Sequence, residues 1–178
     1  REKQIPFLGI CLGMQLLVIE YARNCAGLKE ANSEEFLEED PNLPDGQLIY
    51  HLSRWIKDQK VEIRNKVQDK GGTMRLGAYP ARIKEGTVAY SIYNNMLVSE
   101  RHRHRFEVNS KYKNTLEENG LTFSGFSQDG LLPEIVEISK HPFFLGVQFH
   151  PELKSKPFEP HPIFSMFIKK ALEQTRLV

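Results

Sequence analysis

Two cysteines in 178 residues, Cys11 and Cys25, are too few to staple a fold, and neither has the second close Cys or His pair that a zinc site needs. Long hydrophobic runs are missing too. Leu16-Leu17-Val18-Ile19 is cut by Glu20, far short of the roughly 20 apolar residues that cross a bilayer as a helix, so no membrane association is expected. Neither charge is in excess: 24 Lys and Arg face 23 Asp and Glu, a net charge of +1, which argues against a general nucleic-acid binder. The first residues, Arg1-Glu2-Lys3-Gln4, are charged and lack the apolar core of a secretory signal, which makes the cytoplasm the expected compartment. No repeat, low-complexity tract or phosphate-binding P-loop is found. What is there, 40% hydrophobic and 26% charged residues, reads as one globular domain over 1–178.

Ile5 to Ile10 is a short apolar run with β-branched and aromatic members and reads as a buried strand. After Gly13, apolar residues recur at Met14, Leu17, Val18, Tyr21 and Ala22, the stripe of a helix, with Glu20, Arg23 and Asn24 off it. Residues 30 to 47 lose this regularity: Glu34, Glu35, Glu38, Glu39 and Asp40 cluster before Pro41, Pro44, Asp45 and Gly46, the composition of a solvated surface loop. Gly71, Gly72 and Gly77 bracket Thr73 to Leu76 at a spacing that permits a tight turn or a close backbone approach. From residue 98 the pattern is strand-rich, with hairpin-linked segments Leu121 to Ser127, Glu134 to Ile138 and Phe143 to Phe149. Phe164, Phe167, Ile168, Ala171 and Leu172 then predict a closing amphipathic helix. The mixture gives an α/β fold.

Cys11 lies in Gly9-Ile10-Cys11-Leu12-Gly13, the spacing of a nucleophile elbow written with cysteine. A strand turning abruptly into a helix pushes the central side chain outward, and flanking glycines remove Cβ atoms that would clash. At a helix N-terminus the thiol is expected to have a lowered pKa, and the Leu12 N–H is placed to donate to an oxyanion. The competing reading of Cys11 is a small buried core residue. Cys25, beside Ala26 and Gly27, has none of these features and reads as structural.

A nucleophilic thiol needs a base, and His150-Pro151-Glu152 follows the last apolar strand. On an extended chain His150 and Glu152 project to one side, so Glu152 could hold one imidazole nitrogen while the other addresses Cys11. The alternative is a turn in which His150 merely packs. In Arg101-His102-Arg103-His104-Arg105, strand alternation puts the arginines on one face and the histidines on the other, which fits a pocket or an interdomain surface better than nucleic-acid binding.

Five segments carry a wider resemblance: PFLGICLGMQ (Pro6 to Gln15), ANSEEF (Ala31 to Phe36), GGTMRLG (Gly71 to Gly77), ERHRHRFEVN (Glu100 to Asn109) and GVQFHPE (Gly146 to Glu152). Together they resemble the class I, triad-type glutamine amidotransferases and, among these, the glutaminase domains of CTP synthases. The resemblance implies a flavodoxin-like open sheet flanked by helices, with Cys11 as nucleophile, His150 as general base and acid, and Glu152 as its orienter. It implies that Leu12, Gly13, Met14, Gln15, Glu35 and Arg105 contact the substrate glutamine, with the backbone near Phe106 assisting. Arg105 suits a carboxylate and Glu35 an ammonium.

By the same resemblance, glutamine is hydrolysed through a Cys thioester. The ammonia passes to an N-terminal synthetase domain that uses ATP and Mg2+ to aminate UTP to CTP, in an enzyme that is a homo-oligomer. GTP is implied as allosteric activator, with Gly71 to Gly77 and Arg64 as candidate contacts, and no metal or cofactor is implied within this domain. The synthetase domain, the family's first strands and its glycine-rich oxyanion loop are not found here, so the expectation is a piece of roughly the C-terminal third of such an enzyme. Two other readings stay open: the glutaminase domain of another class I amidotransferase, such as the GMP or carbamoyl phosphate enzymes, and a catalytically silent amidotransferase-like regulatory module.

Overall fold

Alternating side chains of a few short strands sort into two apolar layers, and helices cover both. In the computed structural model, which describes residues 1–36, 47–51, 54–57, 60–63 and 74–175, β1 (Phe7–Ile10) leads into α1 (Leu12–Asn24). Then come β2 (Ile49–His51), β3 (Arg54–Lys57), β4 (Lys60–Ile63), β5 (Arg75–Ile83), α2 (Val88–Tyr93), β6 (Leu97–His104) and β7 (Phe106–Val108). The chain finishes with α3 (Lys113–Glu118), β8 (Thr122–Ser127), β9 (Pro133–Glu137), β10 (Phe144–Val147) and α4 (Pro162–Thr175).

The main sheet has the order β1-β10-β9-β8-β5-β6. Only β1 and β10 run parallel in it, with Phe7 opposite Phe144 and Ile10 opposite Val147; the other pairs are antiparallel. Period-2 alternation assigns the layers. Phe144 and Val136 face α1, where they pack with Met14, Leu17, Val18, Tyr21 and Phe123, while Leu145, Val147 and Ile135 face the other way, onto Ile163 of α4 and Ala89 of α2. Every member of the helical stripe read in α1 is buried.

The antiparallel run β8-β9-β10 is the hairpin-linked series read from the sequence. The closing helix also forms, but its anchor is Ile163, fully buried, and not Ile168 or Leu172, which are 55% and 56% exposed. Gly77 is no turn residue: it lies inside β5 opposite His102 with φ 99°, a conformation that favours glycine. Of the expected loop, Glu34–Phe36 forms a 3-10 turn. Glu38, Glu39, Asp40, Pro41, Pro44, Asp45 and Gly46, together with Arg64, Gly71, Gly72 and Thr73, lie outside the described residues.

Strand β7 leaves the main sheet. It pairs antiparallel with β2, as Ile49–Val108, Tyr50–Glu107 and His51–Phe106, and this small sheet carries the Glu34–Phe36 turn. The turn is tied to β2 by the Ile49 N–H donating to the Asn32 carbonyl at 3.1 Å and the His51 N–H donating to the Glu34 carboxylate at 2.9 Å. Among the described residues, no helix is long and apolar enough to cross a membrane.

Candidate active site

Residue 11 marks the corner between β1 and α1, and its backbone is the reason the corner exists. Cys11 has φ 52° and ψ −106°, a left-handed conformation that a side-chain-bearing residue adopts only where the surroundings impose it. Its N–H donates to the Val147 carbonyl at 2.8 Å, continuing the β1–β10 pairing by one residue. Its own carbonyl accepts from the N–H groups of Met14 at 3.0 Å and Gln15 at 3.2 Å, starting the helix. The two flanking glycines do different things: a Cβ at Gly9 would stand 2.6 Å from the Gly13 carbonyl oxygen, whereas a Cβ at Gly13 would meet nothing within 4 Å. Only the first is needed for close packing.

His150 follows the neighbouring strand β10 at the same end of the sheet, because Ile10 stands opposite Val147. Its N–H donates to the Arg101 carbonyl at 2.8 Å, tying it to β6. The imidazole Nδ1 meets Glu152 Oε1 at 2.5 Å, and Nε2 is buried with no hydrogen-bond partner. The pairing read in His150-Pro151-Glu152 is present, but its geometry is not an extended chain. Pro151–Leu153 is a 3-10 turn that brings the carboxylate back under the ring. Since a carboxylate only accepts, Nδ1 carries the proton and Nε2 is left to accept one.

The expected lowering of the Cys11 pKa is overturned. Burial pushes the thiol up to about 11; the Leu12 N–H, donating to the sulfur, works in the other direction, and the charges of Glu107, Glu152 and Glu35 add to the rise. Loss of water and three nearby carboxylates outweigh the helix terminus. At rest Cys11 is therefore a neutral thiol.

The other residues singled out from the sequence are placed as follows. Leu12 is exposed and Gly13 half-buried, whereas Met14 and Gln15 are buried, Met14 in the apolar layer under α1. Gln15 Nε2 donates to the Phe106 carbonyl at 3.0 Å and to Gln148 Oε1 at 3.2 Å. Glu35 is exposed on the 3-10 turn, and its charge reaches the thiol. Arg105 is half-buried between β6 and β7, just past the end of the alternating run, and its Nε is buried without a partner. As expected from alternation, Arg101 and Arg103 are exposed while His102 and His104 are buried. Cys25 is a half-buried free thiol at the far end of α1.

Behind the site lies a buried ionic cluster with no counterpart in the sequence reading. Arg75 gives Nη1 to Glu107 at 3.1 Å and Nη2 to Glu134 at 2.6 Å, all three side chains nearly inaccessible, and its guanidinium also stacks over Tyr79. Burial opposes the charge on Arg75, but Glu134 and Glu107 more than offset it and its pKa rises. Burial, reinforced by the charge of Glu134, pushes Glu107 up to about 8 against the pull of Arg75; burial raises Glu134 as well. One cation thus serves two carboxyls, and the cluster keeps a proton.

His102 and His104 complete the cluster. Burial, then the charge of Arg75, holds both well below the ordinary histidine value, so both rings are neutral. Their tautomers follow from the chain of contacts: His104 Nδ1 lies 3.1 Å from the Phe106 carbonyl and must donate to it, so His104 Nε2 accepts from His102 Nδ1 at 2.8 Å. The Phe106 carbonyl is thereby fixed by two donors, His104 and Gln15. A buried Arg with alternating inward histidines is the signal that could have pointed here.

The sequence matches the glutamine amidotransferase class-I family over residues 1–170. It is 55% identical to a CTP synthase of Rhodopseudomonas palustris (strain BisB5) and 58% identical to that of Zymomonas mobilis, in each case across 100% of this chain and 32% of the relative. The chain thus spans about a third of the length of the curated relatives it matches. In structure it is similar to the Trypanosoma brucei CTPS glutaminase domain with bound acivicin, with a TM-score of 0.80 and 37% identity over 97% of this chain and 62% of that one. A putative GMP synthase protein from Thermoplasma acidophilum, at 13% identity and a TM-score of 0.57 over 97% of this chain and 60% of that one, shares the fold. The chain therefore belongs to the class I glutamine amidotransferases, and within them it groups with the glutaminase domains of CTP synthases.

Proposed function

We propose that this chain is the glutaminase part of a cytoplasmic CTP synthase and that Cys11, His150 and Glu152 form its catalytic triad. One observation carries the chemistry: a thiol on a strained corner stands at the same sheet end as an imidazole whose Nδ1 is held by a carboxylate and whose buried Nε2 is open. His150 Nε2 takes the Cys11 proton as sulfur attacks the side-chain amide carbon of glutamine. The Leu12 N–H, which already points at the sulfur, is placed to donate to the oxyanion. The same proton then goes from Nε2 to the departing ammonia, the C–N bond breaks, and a glutamyl thioester remains. Water, deprotonated by His150, cleaves the thioester to glutamate and restores the thiol.

Glu35 and Arg105 supply the charges for the two ends of a free amino acid. Arg105 has a buried, unpartnered Nε, and the side chain of Glu35 is open to solvent. Leu12, Gly13, Met14 and Gln15 complete the glutamine pocket through the first turn of α1, with the backbone at Phe106. The ammonia serves an ATP- and Mg2+-dependent amination of UTP in a synthetase portion outside this chain, in a homo-oligomeric enzyme activated by GTP.

The test is acivicin, the compound bound in the Trypanosoma brucei domain, followed by peptide mapping of the full-length protein. A single adduct on Cys11 that excess glutamine prevents is the expected result, together with loss of glutamine-dependent but not ammonia-dependent CTP formation in Cys11→Ala. Labelling elsewhere, or loss of both activities, would overturn the proposal.

A further inference from the structure

Gln148 has no place in the chemistry described so far, yet it is fully buried and its Nε2 lies 3.8 Å from Cys11 Sγ, within the reach of an N–H donor to sulfur. The side chain is held from both ends. Its backbone N–H donates to the Glu134 carbonyl at 2.9 Å, and its Oε1 accepts from Gln15 Nε2 at 3.2 Å.

The direction of this chain of amides is dictated by its far end. The Phe106 carbonyl can only accept, so the end of the Gln15 amide that faces it at 3.0 Å must be the NH2. That NH2 also faces Gln148, so the atom it meets must be the Gln148 oxygen, and the Gln148 NH2 is turned to the sulfur. A flip of either amide would set two like groups against each other in a site without exposure to water, which costs the desolvation of both.

The energetic need is on the page as well. Burial and three carboxylates make the thiolate costly at this position, and the Leu12 N–H favours it. A second buried donor, fixed before the reaction begins, stabilises the anion without having to reorganise.

We infer that Gln148 holds the Cys11 thiol and donates to the thiolate as it forms, with Gln15 as the positioning residue that determines which end of the Gln148 amide faces the sulfur. The inference deepens the glutaminase reading and rests on it for the role of Cys11. It also places the Phe106 carbonyl and the reacting sulfur on one unbroken path, Phe106–Gln15–Gln148–Cys11.

The test measures iodoacetamide modification of Cys11 by peptide mass in the full-length protein, as a function of pH. In Gln148→Leu the thiol should ionise about one pH unit higher, so that modification at pH 8 is about tenfold slower, with the difference closing as the pH approaches full ionisation. Gln148→Met, a straight chain of similar length, should give the same shift and covers the case in which the Leu variant does not fold. Gln15→Leu should shift the profile in the same direction by less, because the Gln148 amide is then free to turn. An unmoved pH profile in a folded Gln148 variant would overturn the inference. Glutamate release from glutamine, measured in parallel, is independent: wild-type protein that releases none would end the glutaminase reading while leaving the thiol measurement intact.

Discussion

Gly9 stands so close to Gly13 that a Cβ on the first would lie 2.6 Å from the carbonyl oxygen of the second, since the opening turn of α1 folds back over the end of β1. The obstacle is backbone, which cannot swing aside as a side chain does. Gly9→Ala should therefore cost about 1–3 kcal/mol of stability, as overpacking does elsewhere, and disturb the corner that holds Cys11. Gly13→Ala meets nothing within 4 Å and should leave the melting temperature unchanged or slightly raised. Thermal denaturation of the two variants side by side checks both outcomes.

The raised pKa of Cys11 has a sign that can be read directly. An acid pushed up to about 11 is neutral throughout the physiological range, so its alkylation at pH 7 should be roughly two orders of magnitude slower than that of an ordinary thiol. The rate should climb about tenfold per pH unit until the thiol ionises. A fast, pH-independent reaction at pH 7 would show a preformed thiolate instead.

Glu152→Gln should separate two effects that pull in opposite directions. Without the carboxylate paired to His150 Nδ1 at 2.5 Å, the imidazolium loses its partner, and turnover of glutamine should fall by as much as about 10⁴. The same change removes one of the charges that raise the Cys11 pKa, so alkylation of the free protein should become faster. Slower turnover with faster alkylation is the expected signature.

Arg105→Ala should raise the KM for glutamine and leave ammonia-dependent synthesis at its normal rate, because in the proposed site the guanidinium meets one end of the amino acid and no reacting atom. A charged hydrogen bond of this kind is worth about 1.5–3 kcal/mol, or roughly 10- to 150-fold in KM. Steady-state kinetics with the two nitrogen sources makes the comparison.

The cluster around Arg75 gives a prediction for stability. Glu107, raised to about 8 by burial and by Glu134, keeps its proton in the folded protein at pH values where the unfolded chain has lost it. The folded state then binds more protons between the ordinary carboxylate range and about pH 8, so this group makes stability fall as pH rises through that window and level off above it. Glu107→Gln, which imitates the protonated carboxyl, should flatten the slope. Arg75→Met should cost about 3–5 kcal/mol by leaving two buried carboxyls without their cation. Urea unfolding at a series of pH values measures both.

Much of this was legible in the sequence because local rules and tertiary packing agree. The stripe Met14, Leu17, Val18, Tyr21, Ala22 could bury only one face, and it buries that one. Strand alternation separated the exposed Arg101 and Arg103 from the buried His102 and His104 correctly. The C-terminal helix shows where periodicity is insufficient: Ile163 and Ile168 are equally apolar, but only the first reaches Phe143, Leu145 and Val147. Charge was the least legible property. A helix terminus argues for a thiolate, and only the folded arrangement shows that Glu35, Glu107 and Glu152, far apart in the chain, converge on the same sulfur. Likewise nothing in the spacing of Arg75, Glu107 and Glu134 announces that three strands bring them into contact.

The departure of β7 from the main sheet divides labour within the site. Cys11 and His150 follow β1 and β10 of the central sheet, whereas Phe106 and the turn bearing Glu35 belong to the small β2–β7 sheet, with Arg105 at the seam. The two sheets are joined by the main chain at Arg105 and by the Gln15–Phe106 hydrogen bond, so the proposed thiol and imidazole and the proposed charged contacts to glutamine rest on different frames. In evolutionary terms, if the proposed roles hold, the groups on the small sheet that meet the charged ends of the amino acid can drift at a different rate from the thiol and imidazole on the central sheet.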